Sequence, residues 1–153
     1  MTALRASFLA SPYAVLTPSR VEAGFLLAAG PRIIRGRIDA TYQRDGRTEL
    51  VDWKTGRSPA AGDPAASTQL ELYGLAAMAH WGTPAAQLRT TYAYLRPDGP
   101  LEIVSEDWTE GRAEQAKTTL RRVTQGLDDR RFDPHPGPWC ARCDFNVVCP
   151  AAR

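Results

Sequence analysis

Two β-prone runs, Arg37-Ile38-Asp39-Ala40-Thr41-Tyr42-Gln43-Arg44 and Arg47-Thr48-Glu49-Leu50-Val51-Asp52-Trp53-Lys54, are separated by Asp45-Gly46. Asp-Gly between such runs is the strongest short-range signal for a two-residue hairpin turn. That turn sets a register in which Arg44 pairs with Arg47, and counting outward brings Asp39 opposite Asp52. Directly opposed Cβ atoms lie about 5 Å apart, where like charges destabilise the pair. A chain with carboxylates at both positions is strained or supplies a cation between them. Lys54, two residues beyond Asp52, projects from the same strand face. Two carboxylates and an ammonium on one face make a candidate divalent-metal site with a charged helper.

The hairpin strands are expected over Arg32 to Gln43 and Thr48 to Lys54. Ile34, Ile38, Ala40 and Tyr42 fall on one face, and Arg35, Arg37, Asp39 and Thr41 on the other. One face should therefore be buried and the other polar. Ala3 to Ala10 reads as a short helix stopped by Ser11-Pro12, and Val21 to Leu27 as a strand. A Gly-, Pro- and Ala-rich loop runs from Thr55 to Pro64. From about Ala65 to Trp81 a helix follows, with Leu72, Leu75, Ala76 and Ala79 at helical spacing and Gly82 at its end. Gln87 to Leu95 and Leu101 to Ser105 read as strands about a Pro97-Asp98-Gly99-Pro100 turn. A last helix runs from about Trp108 to Leu127, its stripe being Ala113, Ala116, Leu120, Val123 and Leu127. This order predicts an α/β fold, with helices flanking a central mixed sheet that contains the antiparallel hairpin.

The chain has 153 residues, 43% hydrophobic, a size and composition suited to one domain with a single core. Residues 1–132 are expected to form the core, with a short or incomplete first helix, and 133–153 a Pro- and Cys-rich tail. A formal charge of +2 permits contact with nucleic acid without arguing for it. Lys54 and Lys117 are the two lysines among 19 basic residues, so a compact point charge stands beside the carboxylates in a chain that otherwise uses arginine. The apolar run Phe25 to Ala29 is too short to span a membrane, and three cysteines near the C-terminus do not suggest a secreted disulfide framework. A cytoplasmic, nucleoid-associated protein with no membrane partner is the expectation.

Asp-x-Lys alone is weak evidence. The combination of Glu22, Gly36-Arg37-Ile38-Asp39, Val51-Asp52-Trp53-Lys54-Thr55-Gly56 and Gln69-Leu70-x-x-Tyr73 is more specific, and with it the chain resembles the PD-(D/E)XK nuclease superfamily in its RecB-type branch. The likeness runs from about Phe8 to the C-terminus. It is similar in motif to the C-terminal nuclease domains of actinobacterial UvrD-like or AdnB-type helicase-nucleases and to stand-alone RecB-type exonucleases. The resemblance implies a restriction-endonuclease-like core and catalytic roles for Asp39, Asp52, Lys54, Glu22, Gln69 and Tyr73. It also implies Mg²⁺ or Mn²⁺ held by Asp39, Asp52, the Trp53 main-chain carbonyl and Glu22, in keeping with the preference of these ions for hard oxygen donors. Gln69 and Tyr73, four apart on one helix face, would border the site and touch DNA. One departure stands out: RecB-type enzymes generally carry a histidine ligand ahead of the Glu22 position, and here the only histidines are His80 and His135.

In the tail, Cys140, Cys143 and Cys149 have a C-x2-C-x5-C-P spacing that resembles the iron–sulfur staple of AddB-type nucleases. There a fourth, upstream cysteine completes a [4Fe–4S] site. No fourth cysteine occurs here, so three readings stay open: an iron–sulfur motif completed in a longer form of the protein, free thiols, or a zinc site completed by His135. The chain has no phosphate-binding G-x-x-x-x-G-K-[ST] loop, so any helicase partner must lie on another segment or subunit. The expected function is metal-dependent hydrolysis of DNA, exonuclease-like, in double-strand-break repair and recombination with a helicase. The alternative is a catalytically silent DNA-binding or structural module of such a complex.

Overall fold

The computed structural model describes residues 2–56, 58, 64–131 and 133–151. The chain runs through α1 (Thr2–Leu9), β1 (Arg20–Ala29), β2 (Arg32–Arg44), β3 (Arg47–Thr55), α2 (Pro64–Trp81), β4 (Leu88–Leu95), β5 (Glu102–Asp107) and α3 (Glu110–Asp128). Most of the loop expected between Thr55 and Pro64 lies outside the described residues. Asp45 and Gly46 both have positive φ, 52° and 73°, the left-handed pair that a type I′ turn requires. Arg44 accordingly pairs with Arg47.

The five strands form one sheet in sequence order. All neighbours are antiparallel except β3 and β4, which are parallel. Parallel neighbours need a crossover, and α2 supplies it, crossing one face of the sheet between β3 and β4. On that face Phe25, Leu27, Ile38, Leu50, Tyr92 and Tyr94 pack with Tyr73 and Ala76 of α2 and Ala113 and Ala116 of α3. Trp108 joins this core instead of opening α3. A Cβ on Gly74 would lie 2.1 Å from its ring, so only glycine lets the indole rest on α2. Helix α3 starts after it, where the Thr109 side chain accepts from the Arg112 N–H at 3.1 Å.

The opposite face is covered too. Tyr13, Ala40, Tyr42, Val51 and Ala93 form a second cluster with Phe8 of α1 and Trp53. At its centre is a carboxylate, Glu49, only 1% exposed. It accepts from the Tyr13 hydroxyl at 2.8 Å and from Thr91 Oγ1 at 2.7 Å. Its Oε2 has no hydrogen-bond partner among the described residues and lies 3.8 Å from the Arg44 guanidinium. Burial, followed by the bond to Glu49, raises the pKa of the Tyr13 phenol and keeps it protonated.

Three sequence expectations are corrected by this packing. First, Ile38 belongs to the α2 side of the sheet whereas Ala40 and Tyr42 belong to the α1 side, so the four residues from Ile34 to Tyr42 do not share a face. The pairing keeps one register across the break, Val21 with Ala40 and Ala23 with Ile38. Between them Glu22 sits at φ 53°, and a left-handed residue inside an extended strand interrupts the two-residue repeat. Second, the buried stripe of α2 includes Leu70, Tyr73, Leu75, Ala76 and Ala77, while Ala79 is exposed. Tyr73 and Leu70 are drawn in because the helix lies over the sheet, where a tyrosine with a hydroxyl partner can be buried. Third, Val123 and Leu127 of α3 are 42% and 41% exposed, and Thr124 is buried in their place. Its hydroxyl is satisfied by the helix carbonyls of Leu120 and Arg121.

Candidate active site

Glu22, Asp39 and Asp52 lie in one row across β1, β2 and β3, because the register that pairs Val21 with Ala40 and Ala40 with Val51 aligns them. The regular ladder is interrupted at this row. Pairing of β2 with β3 ends at Ala40–Val51, so the expected direct pairing of Asp39 with Asp52 does not form. Instead Asp39 Oδ2 accepts the Trp53 N–H at 2.9 Å, reaching to the residue beside Asp52. The Asp52 face is not an open polar one either. Asp52 is 2% exposed, covered by α2.

Leu50, Asp52 and Lys54 alternate along β3 toward α2, and Gln69 and Tyr73 point back at them one helical turn apart. Asp52 Oδ1 accepts from Gln69 Nε2 at 2.7 Å and from the Tyr73 hydroxyl at 3.0 Å. Lys54 Nζ lies 2.7 Å from Asp52 Oδ2 and donates to Gln69 Oε1 at 3.0 Å. That ionic contact is not an aligned hydrogen bond, and Asp52 Oδ2 is a buried carboxylate oxygen with no aligned donor among the described residues. Burial raises the pKa of the Tyr73 phenol, and the Asp52 charge raises it further, so Tyr73 stays a proton donor.

The remaining expected residues are placed differently. Glu22 is exposed and turned to Arg37, whose Nε it meets in an ion pair. His80 is exposed and its Nε2 contacts the Leu26 carbonyl at 2.7 Å, at the edge of β1. Among the described residues, no three His, Cys, Asp or Glu side chains close on a common point as metal ligands. Glu22, Asp39 and Asp52 are thus aligned without being gathered. Divalent Mg²⁺ and Mn²⁺ keep several waters and use one or two protein carboxylates. Asp39, Asp52 with its unaligned Oδ2, and the Trp53 carbonyl fit that donor chemistry.

The sequence reading missed Tyr92. It is the ladder neighbour of Asp52 across the parallel β3–β4 pair, and its ring centroid is 5.6 Å from Lys54 Nζ. No turn connects β3 to β4, so their register could not be counted from the sequence. In the tail, Cys140, Cys143 and Cys149 form no disulfide, and Trp139 Nε1 donates to the His135 carbonyl at 2.9 Å. Among the described residues no helix is long and apolar enough to cross a membrane.

Comparison with known proteins places these residues in a family. The sequence profile of the PD-(D/E)XK nuclease superfamily matches residues 3–150. The Gene 69 protein of Mycobacterium phage D29 is 31% identical over 139 residues, which are 90% of this chain and 49% of the phage protein. Its counterpart in Mycobacterium phage L5 is 31% identical over 127 residues, 78% of this chain and 40% of that protein. The chain therefore spans about half the length of the curated relatives it matches. Among solved structures, the fold is similar to that of the protein SSO0001, with TM-score 0.56, 22% identity, and coverage of 97% of this chain and 66% of that one. It is also similar to a candidate exonuclease from Eubacterium rectale, with TM-score 0.60, 13% identity, and coverage of 94% and 57%. The five-stranded mixed sheet and its flanking helices are the restriction-endonuclease-like architecture of that superfamily.

Proposed function

Because the chain belongs to the PD-(D/E)XK nuclease superfamily, we propose that it is a Mg²⁺- or Mn²⁺-dependent deoxyribonuclease with Asp39, Asp52 and Lys54 at its catalytic centre. The observation that carries this reading is the Lys54 ammonium 2.7 Å from a buried Asp52 carboxylate, beside Asp39. Asp39, Asp52 and the Trp53 carbonyl would hold the ion, with Glu22 contributing directly or through water. When bound, such an ion polarises the scissile phosphate and lowers the pKa of an attacking water. Gln69 and Tyr73 hold Asp52 Oδ1, which leaves Oδ2 free to turn to a cation. Lys54 now neutralises Asp52. With substrate present it would orient the attacking water or offset the charge that builds on the phosphoryl oxygens.

The finer reading is an exonuclease of the RecB-type branch that processes DNA ends in double-strand-break repair and recombination beside a helicase. Its similarity to the candidate exonuclease from Eubacterium rectale supports the exonucleolytic part. Cys140, Cys143 and Cys149 would serve as three ligands of an iron–sulfur staple, completed by a cysteine from a longer form of the protein. A brown colour that a cysteine-extended protein gains and loses again with Cys143→Ser would test this, and a colourless extended protein with stoichiometric zinc would overturn it. The second reading, a catalytically silent DNA-binding module, is favoured by Glu22, which is exposed and held in an ion pair with Arg37.

The deciding experiment incubates the protein with single-stranded DNA and Mn²⁺ or Mg²⁺. Cleavage should appear, chelation should abolish it, and Asp52→Asn and Lys54→Ala should each remove it. Unaltered cleavage by either variant would move the active site elsewhere. DNA binding without cleavage in either metal would leave the silent module as the better reading.

A further inference from the structure

Gln69 is held at both ends of its amide. Its Nε2 donates to Asp52 Oδ1 at 2.7 Å and to the Tyr73 oxygen at 2.9 Å. Its Oε1 accepts from Lys54 Nζ at 3.0 Å and from the Tyr92 hydroxyl at 3.4 Å. An amide offers two donors and two acceptor lone pairs, so these four contacts use its full capacity. They also fix its orientation, since a flip would set the NH₂ group against the ammonium. Tyr92 is the member of this arrangement that comes from outside β3 and α2. It stands on β4, 5% exposed, with its ring near the same ammonium that its hydroxyl helps the amide to hold.

We propose that Tyr92 is a positioning residue of this site, holding the Gln69 amide and the Lys54 ammonium in the arrangement Asp52 needs. The proposal rests on the nuclease reading above. Two parts of the side chain act separately. At 3.4 Å the hydroxyl contact is long, so it steers the amide more than it stabilises it. The ring offers its negative face to Lys54, and the contact gains from partial burial. The parallel ladder makes this placement rigid, because Asp52 and Tyr92 are paired and the next paired residues on the same face are Lys54 and Tyr94.

Tyr92→Phe keeps the ring and deletes the hydroxyl. It should lower kcat about twofold to threefold, the low end of one net hydrogen bond because the contact is long, with KM for DNA unchanged. Tyr92→Leu should lower kcat further. In a Gln69→Ala background, Tyr92→Phe should cost nothing more, because its path of action has been removed. A second measurement needs no activity. The Gln69 side-chain NH₂ signals, identified by their loss in Gln69→Ala, should be protected from solvent exchange in the wild type and lose protection in Tyr92→Phe. Unchanged kcat together with unchanged protection would overturn the proposal, as would a full additive loss in the double variant. If the wild type cleaves no DNA, the nuclease reading fails by itself, and the exchange experiment still decides whether Tyr92 positions Gln69.

Discussion

Replacing Tyr13 by Phe removes one hydroxyl from the α1 side of the sheet and leaves the ring packed against Tyr42 and Trp53. The lost bond is to a buried carboxylate. Glu49 Oε1 would keep Thr91 at 2.7 Å, while Oε2, which has no hydrogen-bond partner among the described residues, would keep the Arg44 guanidinium at 3.8 Å, so the carboxylate is left with one hydrogen bond fewer. Hydrogen bonds to charged groups contribute about 1.5–3 kcal/mol, and we take about 2 kcal/mol at neutral pH. For a domain of this size that lowers Tm by about 4–8 °C. The pH dependence is more discriminating. Tyr13 has its folded pKa raised above the ordinary 10.0, so below pH 10 the phenol is protonated in both folded and unfolded chains and its contribution is fully present. Above pH 10 the unfolded chain loses this proton and the folded chain retains it, so stability falls as pH rises. The wild-type advantage over Tyr13→Phe should shrink by about 1.4 kcal/mol per pH unit and vanish near pH 11.5, since about 2 kcal/mol is to be lost. Tyr42 and Tyr73 are common to both proteins and cancel from the difference. Urea unfolding followed by circular dichroism from pH 7 to 11.5 reads this directly. Two stability curves that stay parallel from pH 10 to pH 11.5 would refute the reasoning.

Lys54→Met should abolish cleavage and also destabilise the fold by about 1–2 kcal/mol, a buried-pair cost discounted because Lys54 is 39% exposed. Added Mn²⁺ should then raise the Tm of that variant more than the wild type's, which calorimetry would show. Gly74→Ala should cost about 1–3 kcal/mol by driving a methyl group into the Trp108 ring, measured by urea unfolding, with a change in tryptophan fluorescence as its local signature. Gly46→Ala should cost about 1 kcal/mol, because its φ of 73° is strained for any L side chain, and no loss of unfolding free energy would count against the type I′ turn.

What the sequence made legible was whatever local chemistry dictates. The Asp45-Gly46 turn demands left-handed φ at two positions, and that demand carried the hairpin register inward as far as Ala40–Val51. Strand periodicity put Asp52 with Lys54 on one strand face and helix periodicity put Gln69 with Tyr73 on one helix face, while only the resemblance to the nuclease family implied that the two faces meet. Beyond that, long-range packing decided the outcome. Glu22 at φ 53° is a backbone state that no side-chain pattern announces, and beside it the two-residue alternation of β2 breaks between Ile38 and Ala40. The burial of Glu49 had no local signal, because Tyr13 and Thr91, distant in sequence, bring the hydroxyls that allow it. Tyr92 was hidden because a parallel register is set by how α2 docks, not by a turn. Val123 and Leu127 continued a helical stripe past the end of the surface they were expected to cover.

The described partners of Asp52 and Lys54 all come from β3, α2 and β4, so the polar centre is built within one strand–helix–strand crossover. The chain enters that unit from the Asp45-Gly46 turn and leaves it along β4. Asp39 stands outside that unit, on β2, and reaches it through the Trp53 N–H, so a change that loosens the β2–β3 hairpin should displace Asp39 while Asp52 and Lys54 stay together.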